Sequence, residues 1–337
     1  ASSYTSLSYV LHQLEERSRK FLYMQYSRSH LINPSSGTYH VCSRCVRKSF
    51  LFGIDAQTGK DFSHRRKWIE QRITALSQLF TISVYAYAIM SNHYHLVLNV
   101  ECEDLSDEVV ADRWLQLCPG REALREREDG LALQKVALLA DPLRLEEIRA
   151  RLSSISWFMR FINEPLARMA NREDECTGRF WEGRFRSQAL LDEASILACM
   201  VYVDLNPVRA GMSQSLDECE FTSIKRRLEE TSVDDPMTAL GKQTVIPSIS
   251  AITLDNYLEL VFWTQDSQSA LRSGLNARVS RCLTRSHTNK DSWFMDHLPK
   301  PETWQRAVGS RENLTVYAAS LNQKWIRRRA RIRVPTY

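Results

Sequence analysis

Two strand-like runs, Ile82 to Met90 and His93 to Val100, are separated only by Ser91-Asn92, and this pairing constrains the fold more than any other stretch of the chain. Alternating apolar runs joined by a short polar turn predict an antiparallel hairpin. Strand side chains alternate faces, so His93 and His95, on either side of Tyr94, project the same way and come close enough to share one metal ion. With 8 His in 337 residues, about 0.2 such pairs arise per chain by chance, so the pair alone names no reaction. The bland alternative, one histidine in the core and one on the surface, fits poorly with a shared face.

A second element supplies what the histidines lack. Asp192 is a natural N-cap, and the helix it would start carries Ser195, Ala198, Cys199, Tyr202 and Asn206 on one stripe, with Ile196, Leu197 and Met200 on the far side. Small neighbours leave room in front of the Tyr202 hydroxyl, as a nucleophile requires. Asn206 precedes Pro207, so it reads either as a helix terminator or as an amide ligand. The two elements together fit phosphoryl transfer: a divalent ion on two imidazoles and an amide oxygen polarises a phosphodiester, and a tyrosine oxygen attacks it. No residue declares itself the general base.

Charge narrows the substrate. Positions 101–150 hold 13 Asp/Glu against 7 Lys/Arg, a balance of −6 in a chain of net +5, which leaves +11 on the remainder. A basic body carrying an acidic module attracts polyanions, nucleic acid foremost. Eight cysteines are scattered through a chain with no N-terminal apolar run and no 18-residue hydrophobic span. That pattern predicts a reducing cytoplasmic compartment and no membrane. Cys42-Ser43-Arg44-Cys45 has half a zinc-knuckle spacing, but no second pair follows and the segment alternates like a strand. The stretch from Gly53 to Lys60 imitates a P-loop yet is one residue too long and is followed by Asp61, so no nucleotide cofactor is expected.

The chain divides into an N-terminal arm (1–35), a central domain (36–231) carrying the acidic helical insertion at about 101–150, and a linker with a helical, basic extension (232–337). Strands are expected over Thr38 to Val46 and Gly178 to Leu190, a helix over Asp61 to Phe80, and helices from Glu103 to Arg172 broken at Pro119-Gly120, Gly130 and Asp141-Pro142. Such an order predicts an α+β fold, an antiparallel sheet covered by helices.

Three motifs carry a family resemblance. Met90-Ser91-Asn92-His93-Tyr94-His95-Leu96-Val97-Leu98, Gly178-Arg179-Phe180-Trp181-Glu182-Gly183-Arg184-Phe185 and Tyr202-Val203-Asp204-Leu205-Asn206-Pro207-Val208-Arg209-Ala210-Gly211 together resemble the REP-associated tyrosine transposases, a branch of the single-tyrosine HUH transposases. The likeness spans about residues 36–230. It implies a ferredoxin-like (RRM-like) palm with an antiparallel sheet flanked by helices. It also implies Mg²⁺ or Mn²⁺ held by His93, His95 and Asn206, and Tyr202 as the nucleophile that forms a 5′-phosphotyrosine. The implied partner is single-stranded DNA bearing a REP palindrome hairpin. Oligomeric state, monomer or dimer, is left open.

Arg44, Arg47, Lys48, Arg179, Arg184, Arg186 and Arg209 are the expected DNA contacts, with ordinary surface charge as the alternative for each. Arg327, Arg328 and Arg329, within a run of five arginines in seven positions ending at Arg333, read either as phosphate contacts or as a solvated tail. The rival to an enzyme is a hairpin-binding regulator on the same fold without chemistry.

Overall fold

A computed structural model describes residues 36–46, 52–54, 59–101, 103–229, 236–242, 244–265 and 304–323. Strand β1 (Gly37–Arg44) leads into helix α1 (Ser63–Leu79), which returns to β2 (Ile82–Ile89) and β3 (His93–Val100). The helices α2 (Asp107–Leu117), α3 (Arg121–Leu139), α4 (Pro142–Leu152) and α5 (Ile155–Glu173) follow, then β4 (Arg186–Leu190), α6 (Glu193–Asp204), the single turn α7 (Asn206–Arg209) and α8 (Ser223–Leu228). Later come a 3₁₀ turn (Pro247–Ile249), α9 (Leu254–Gln265), a two-residue strand β5 (Ala307–Val308) and α10 (Arg311–Ser320).

The sheet order is β2-β3-β1-β4-β5, with antiparallel neighbours except for the parallel β4–β5 pair. The first four strands with α1 and α5 as crossovers form the split βαβ arrangement of a ferredoxin-like palm within an α+β fold. Alternation gives the sheet two different faces. Tyr39, Val41, Tyr94, Leu96 and Leu98 point to one side and pack with Ile69, Ile73 and Leu76 of α1 and Phe158, Ile162 and Leu166 of α5. Ala86, Ala88, Met90 and Val97 point to the other, where α6 lies across them. Arg65, wholly buried, staples α1 to the end of α5 through Glu173 at 2.8 Å and Asp174 at 2.7 Å.

Several expectations need correction. Gly130 does not interrupt α3, because one glycine inside nineteen helical residues costs only about 1 kcal/mol and the turns on either side carry it. Pro119-Gly120 and Asp141-Pro142 do separate helices; Asp141 caps α4 by accepting from the Arg144 N–H at 3.0 Å, with Pro142 at the first position. The strand expected from Gly178 is only Arg186–Leu190. Between 178 and 185 the chain meets the sheet just once, at a Cys45–Trp181 bridge, so its alternation had no ladder to join. Finally, α6 is not two-faced: every residue from Ala194 to Asp204 is buried, because Ile246, Ile249, Tyr257 and Leu260 from later in the chain cover its back.

The acidic insertion packs Val110, Ala111, Trp114, Leu145, Ile148 and Leu152 into a core of its own, joined to the body through Trp157 and Phe161. Among the described residues no helix is long and apolar enough to cross a membrane.

Candidate active site

Register assembles the site on the face that α6 covers. Strand β1 sets Arg44 opposite His93 and Cys42 opposite His95, while β4 sets Arg186 opposite Cys42 and Gln188 opposite His40. One patch therefore holds His93, His95, His40, Cys42, Arg44, Arg186 and Gln188, set by alternation within each strand and register between them. Above it runs α6, started by Asp192, whose side chain accepts from the Ser195 N–H at 2.9 Å while Ser195 Oγ bonds back to the Asp192 backbone. Two turns later that helix delivers Tyr202.

The rings meet closely. His93 and His95 are 4.9 Å apart between centroids at 85°, and Tyr202 stands edge-on to His95 at 5.8 Å and to His40 at 6.0 Å. His40 stacks on His95 at 5.0 Å, its Nε2 2.9 Å from His95 Nδ1. Trp304 leans on His40 at 4.7 Å and donates its indole N–H to the Ser187 carbonyl at 3.1 Å. Arg209 lies 5.7 Å above the Tyr202 ring. The Asn92 amide oxygen sits 2.5 Å from His93 Nδ1, and since that oxygen only accepts, Nδ1 carries the proton and Nε2 keeps its lone pair.

Burial governs the protonation states. It pulls His40 down to about 3 and His93 down to about 4, with Arg44 adding to the latter, and it drives His95 well below the usual imidazole range, helped by His93, His40 and Arg44. All three rings are neutral at pH 7, and apart from the nitrogens joined in the His40–His95 bond, a lone pair on His93 and one on His95 can face a cation. The same burial raises the Tyr202 phenol to about 12, aided by Cys42 and Cys199 and opposed by Arg209 and the Asn206 amide. Tyr202 is only 7% exposed, so the open space expected before its hydroxyl is narrow.

Does this set fit the divalent ion that the motifs imply? Among the described residues, no group of three or more His, Cys, Asp and Glu side chains is arranged to hold a metal. Two neutral imidazoles plus a carboxamide do fit, leaving further positions for water or substrate. Asn206 follows Tyr202 by one helical turn, and its buried Nδ2 has no hydrogen-bond partner.

Of the expected DNA contacts, Arg44 and Arg186 flank the histidines and Arg209 overlies the tyrosine, whereas Arg179 and Arg184 are exposed on the irregular approach to β4. Arg47, Lys48, Arg327, Arg328 and Arg329 lie outside the described residues. Cys42 and Cys45 are buried free thiols, both pushed up by burial. The half-knuckle spacing thus belongs to β1 and its end. His40, Gln188 and Trp304 were not singled out from the sequence. Beneath the site, Asp204 accepts from Arg227 at 3.1 Å, from Tyr257 at 2.5 Å and from Ser223, while Arg227 also donates to the Tyr85 carbonyl. This buried network ties the end of the tyrosine helix to the sheet and to α9.

No family model and no curated protein matches the chain. Among solved structures, one described as "Structure of the REP associates tyrosine transposase bound to a REP hairpin" is similar over 67% of this chain and 96% of that one, at 13% identity and a TM-score of 0.39. That description names the family the motifs resemble. At such a distance the likeness says nothing of chemistry, which rests on this chain's own side chains.

Proposed function

We propose that this protein is a metal-dependent single-stranded DNA endonuclease and strand transferase that acts on REP-type hairpins through a covalent 5′-phosphotyrosine at Tyr202. One observation carries the reading: a tyrosine ring 5.8 Å from a histidine whose strand neighbour shares its face, with both imidazoles neutral. His93, His95 and Asn206 are the residues that would hold Mg²⁺ or Mn²⁺, which when bound offsets charge on the scissile phosphate and favours the phenolate. Arg44, Arg186 and Arg209 line the approach of the strand. Tyr202 Oη gives up its proton and attacks phosphorus, the bond to the 3′ oxygen breaks, and that departing oxygen takes up a proton to become the free 3′ hydroxyl. The phosphotyrosine keeps the bond energy, so the same hydroxyl, or another, reverses the step. A free phenol held up to about 12 stays idle until substrate and cation are present. A cytoplasmic setting is consistent with the buried free thiols.

The burial of Tyr202 also favours a second reading, a hairpin-binding regulator without chemistry. A labelled hairpin oligonucleotide incubated with Mg²⁺ separates the two. We expect the wild type to yield a protein–DNA adduct that survives denaturation, and Tyr202→Phe to yield none while binding the hairpin as before. Release of the 3′ fragment by Tyr202→Phe removes the tyrosine from the chemistry. Salt-sensitive binding by the wild type with no adduct establishes the regulator, and cleavage without an adduct points to water as the nucleophile.

A further inference from the structure

His40 is an expensive residue where it stands. It is fully buried, bonded through Nε2 to His95, and its Nδ1 has no partner. An aliphatic side chain fills such a volume without stranding a polar nitrogen, so packing alone does not account for an imidazole.

Tautomers decide what this trio does. His93 has its Nδ1 proton fixed by Asn92, so it presents the Nε2 lone pair. For His95 to present Nε2 beside it, His95 Nδ1 must carry the proton and His40 Nε2 must accept it. His40 then has its own proton on Nδ1, the atom that finds no partner in the structure.

We infer that His40 is a positioning residue, a His40–His95 relay in which His40 Nε2 accepts from His95 Nδ1–H and locks His95 into the tautomer able to bind a cation. This rests on the metal reading above and goes beyond it, since His40 does not touch the ion. The measurement is Mn²⁺ binding to the full chain without DNA, by calorimetry, together with ¹⁵N–¹H spectra of the histidine rings in the Mg²⁺-loaded protein. His40→Leu should weaken Mn²⁺ by about 10- to 100-fold, and His40→Gln, whose amide oxygen still accepts from His95, by only a few-fold. In the loaded wild type, His95 should show its proton on Nδ1.

Wild-type Mn²⁺ affinity in His40→Leu, or equal losses in His40→Leu and His40→Gln, overturns the relay, as does a proton on His95 Nε2 in the loaded protein. The last needs no variant to fold. If instead the wild type binds no more Mn²⁺ than His93→Ala, the metal site itself is wrong and the relay goes with it.

Discussion

Three imidazoles share one buried pocket, and acid should find them. His40 is held down to about 3, His93 to about 4, and His95 also lies far below the ordinary range, each first by burial. In the unfolded chain each takes a proton near pH 6.5. Folded values below unfolded ones cost nothing at pH 7 and above, where both states are neutral. As pH falls from about 6.5 toward 4 the unfolded chain binds protons that the folded one refuses, and stability drops by up to about 1.4 kcal/mol per pH unit per ring. Urea midpoints at pH 7.5 and 5.5 should differ accordingly, and a midpoint unchanged across that window contradicts the burial of the cluster. The shared face of His93 and His95 was legible because it needs only local alternation. His40 was not, since His40 and His95 lie 55 residues apart and no local period fixes the register that joins them. Asn92, read only as a turn residue, fixes the tautomer of His93 in the same stroke.

At the level of elements, the tyrosine helix owes its setting to its first turn. Asp192 caps it and also accepts, through its second carboxylate oxygen, from the Ser310 N–H at 2.7 Å, so one side chain anchors both α6 and the start of α10. Replacing Asp192 with Ala should destabilise the protein by about 1–2 kcal/mol, with Asp192→Asn recovering most of that, as read by denaturant titration. Equal stability of Asp192→Ala and wild type removes the cap from any structural role. The start of this helix was legible because caps are local chemistry. Its all-round burial was legible too, in the unbroken apolar run from Ile196 to Val203, but reading the segment for a single stripe passed over it; only the identity of the covering residues, from 246–260, is not local. The misread approach to β4 has a non-local origin: Phe180, Glu182 and Arg184 alternate as a strand does, but a strand exists only where a partner pairs with it.

Across the whole molecule, charge is sorted by position. The acidic insertion satisfies part of its charge internally, as in Lys135–Asp112 at 2.7 Å and Arg149–Asp107 at 2.6 Å. Arg184 and Arg186 stand exposed on the approach to the site. Replacing both with Ala should weaken hairpin binding and reduce the slope of log affinity against log salt by about 1–2, at roughly 0.7–0.9 per phosphate contact. An unchanged slope takes them out of the interface. Residues 304–323 close the β4 edge of the sheet, where Trp304 leans on His40 and bonds to Ser187 across 117 positions of sequence. During translation, then, the ribosome releases the histidine strands and the tyrosine helix long before the indole that finishes their pocket. Closing so long a loop is slow and entropically costly. A nascent chain thus passes through an interval in which the nucleophile is made but its surroundings are unfinished.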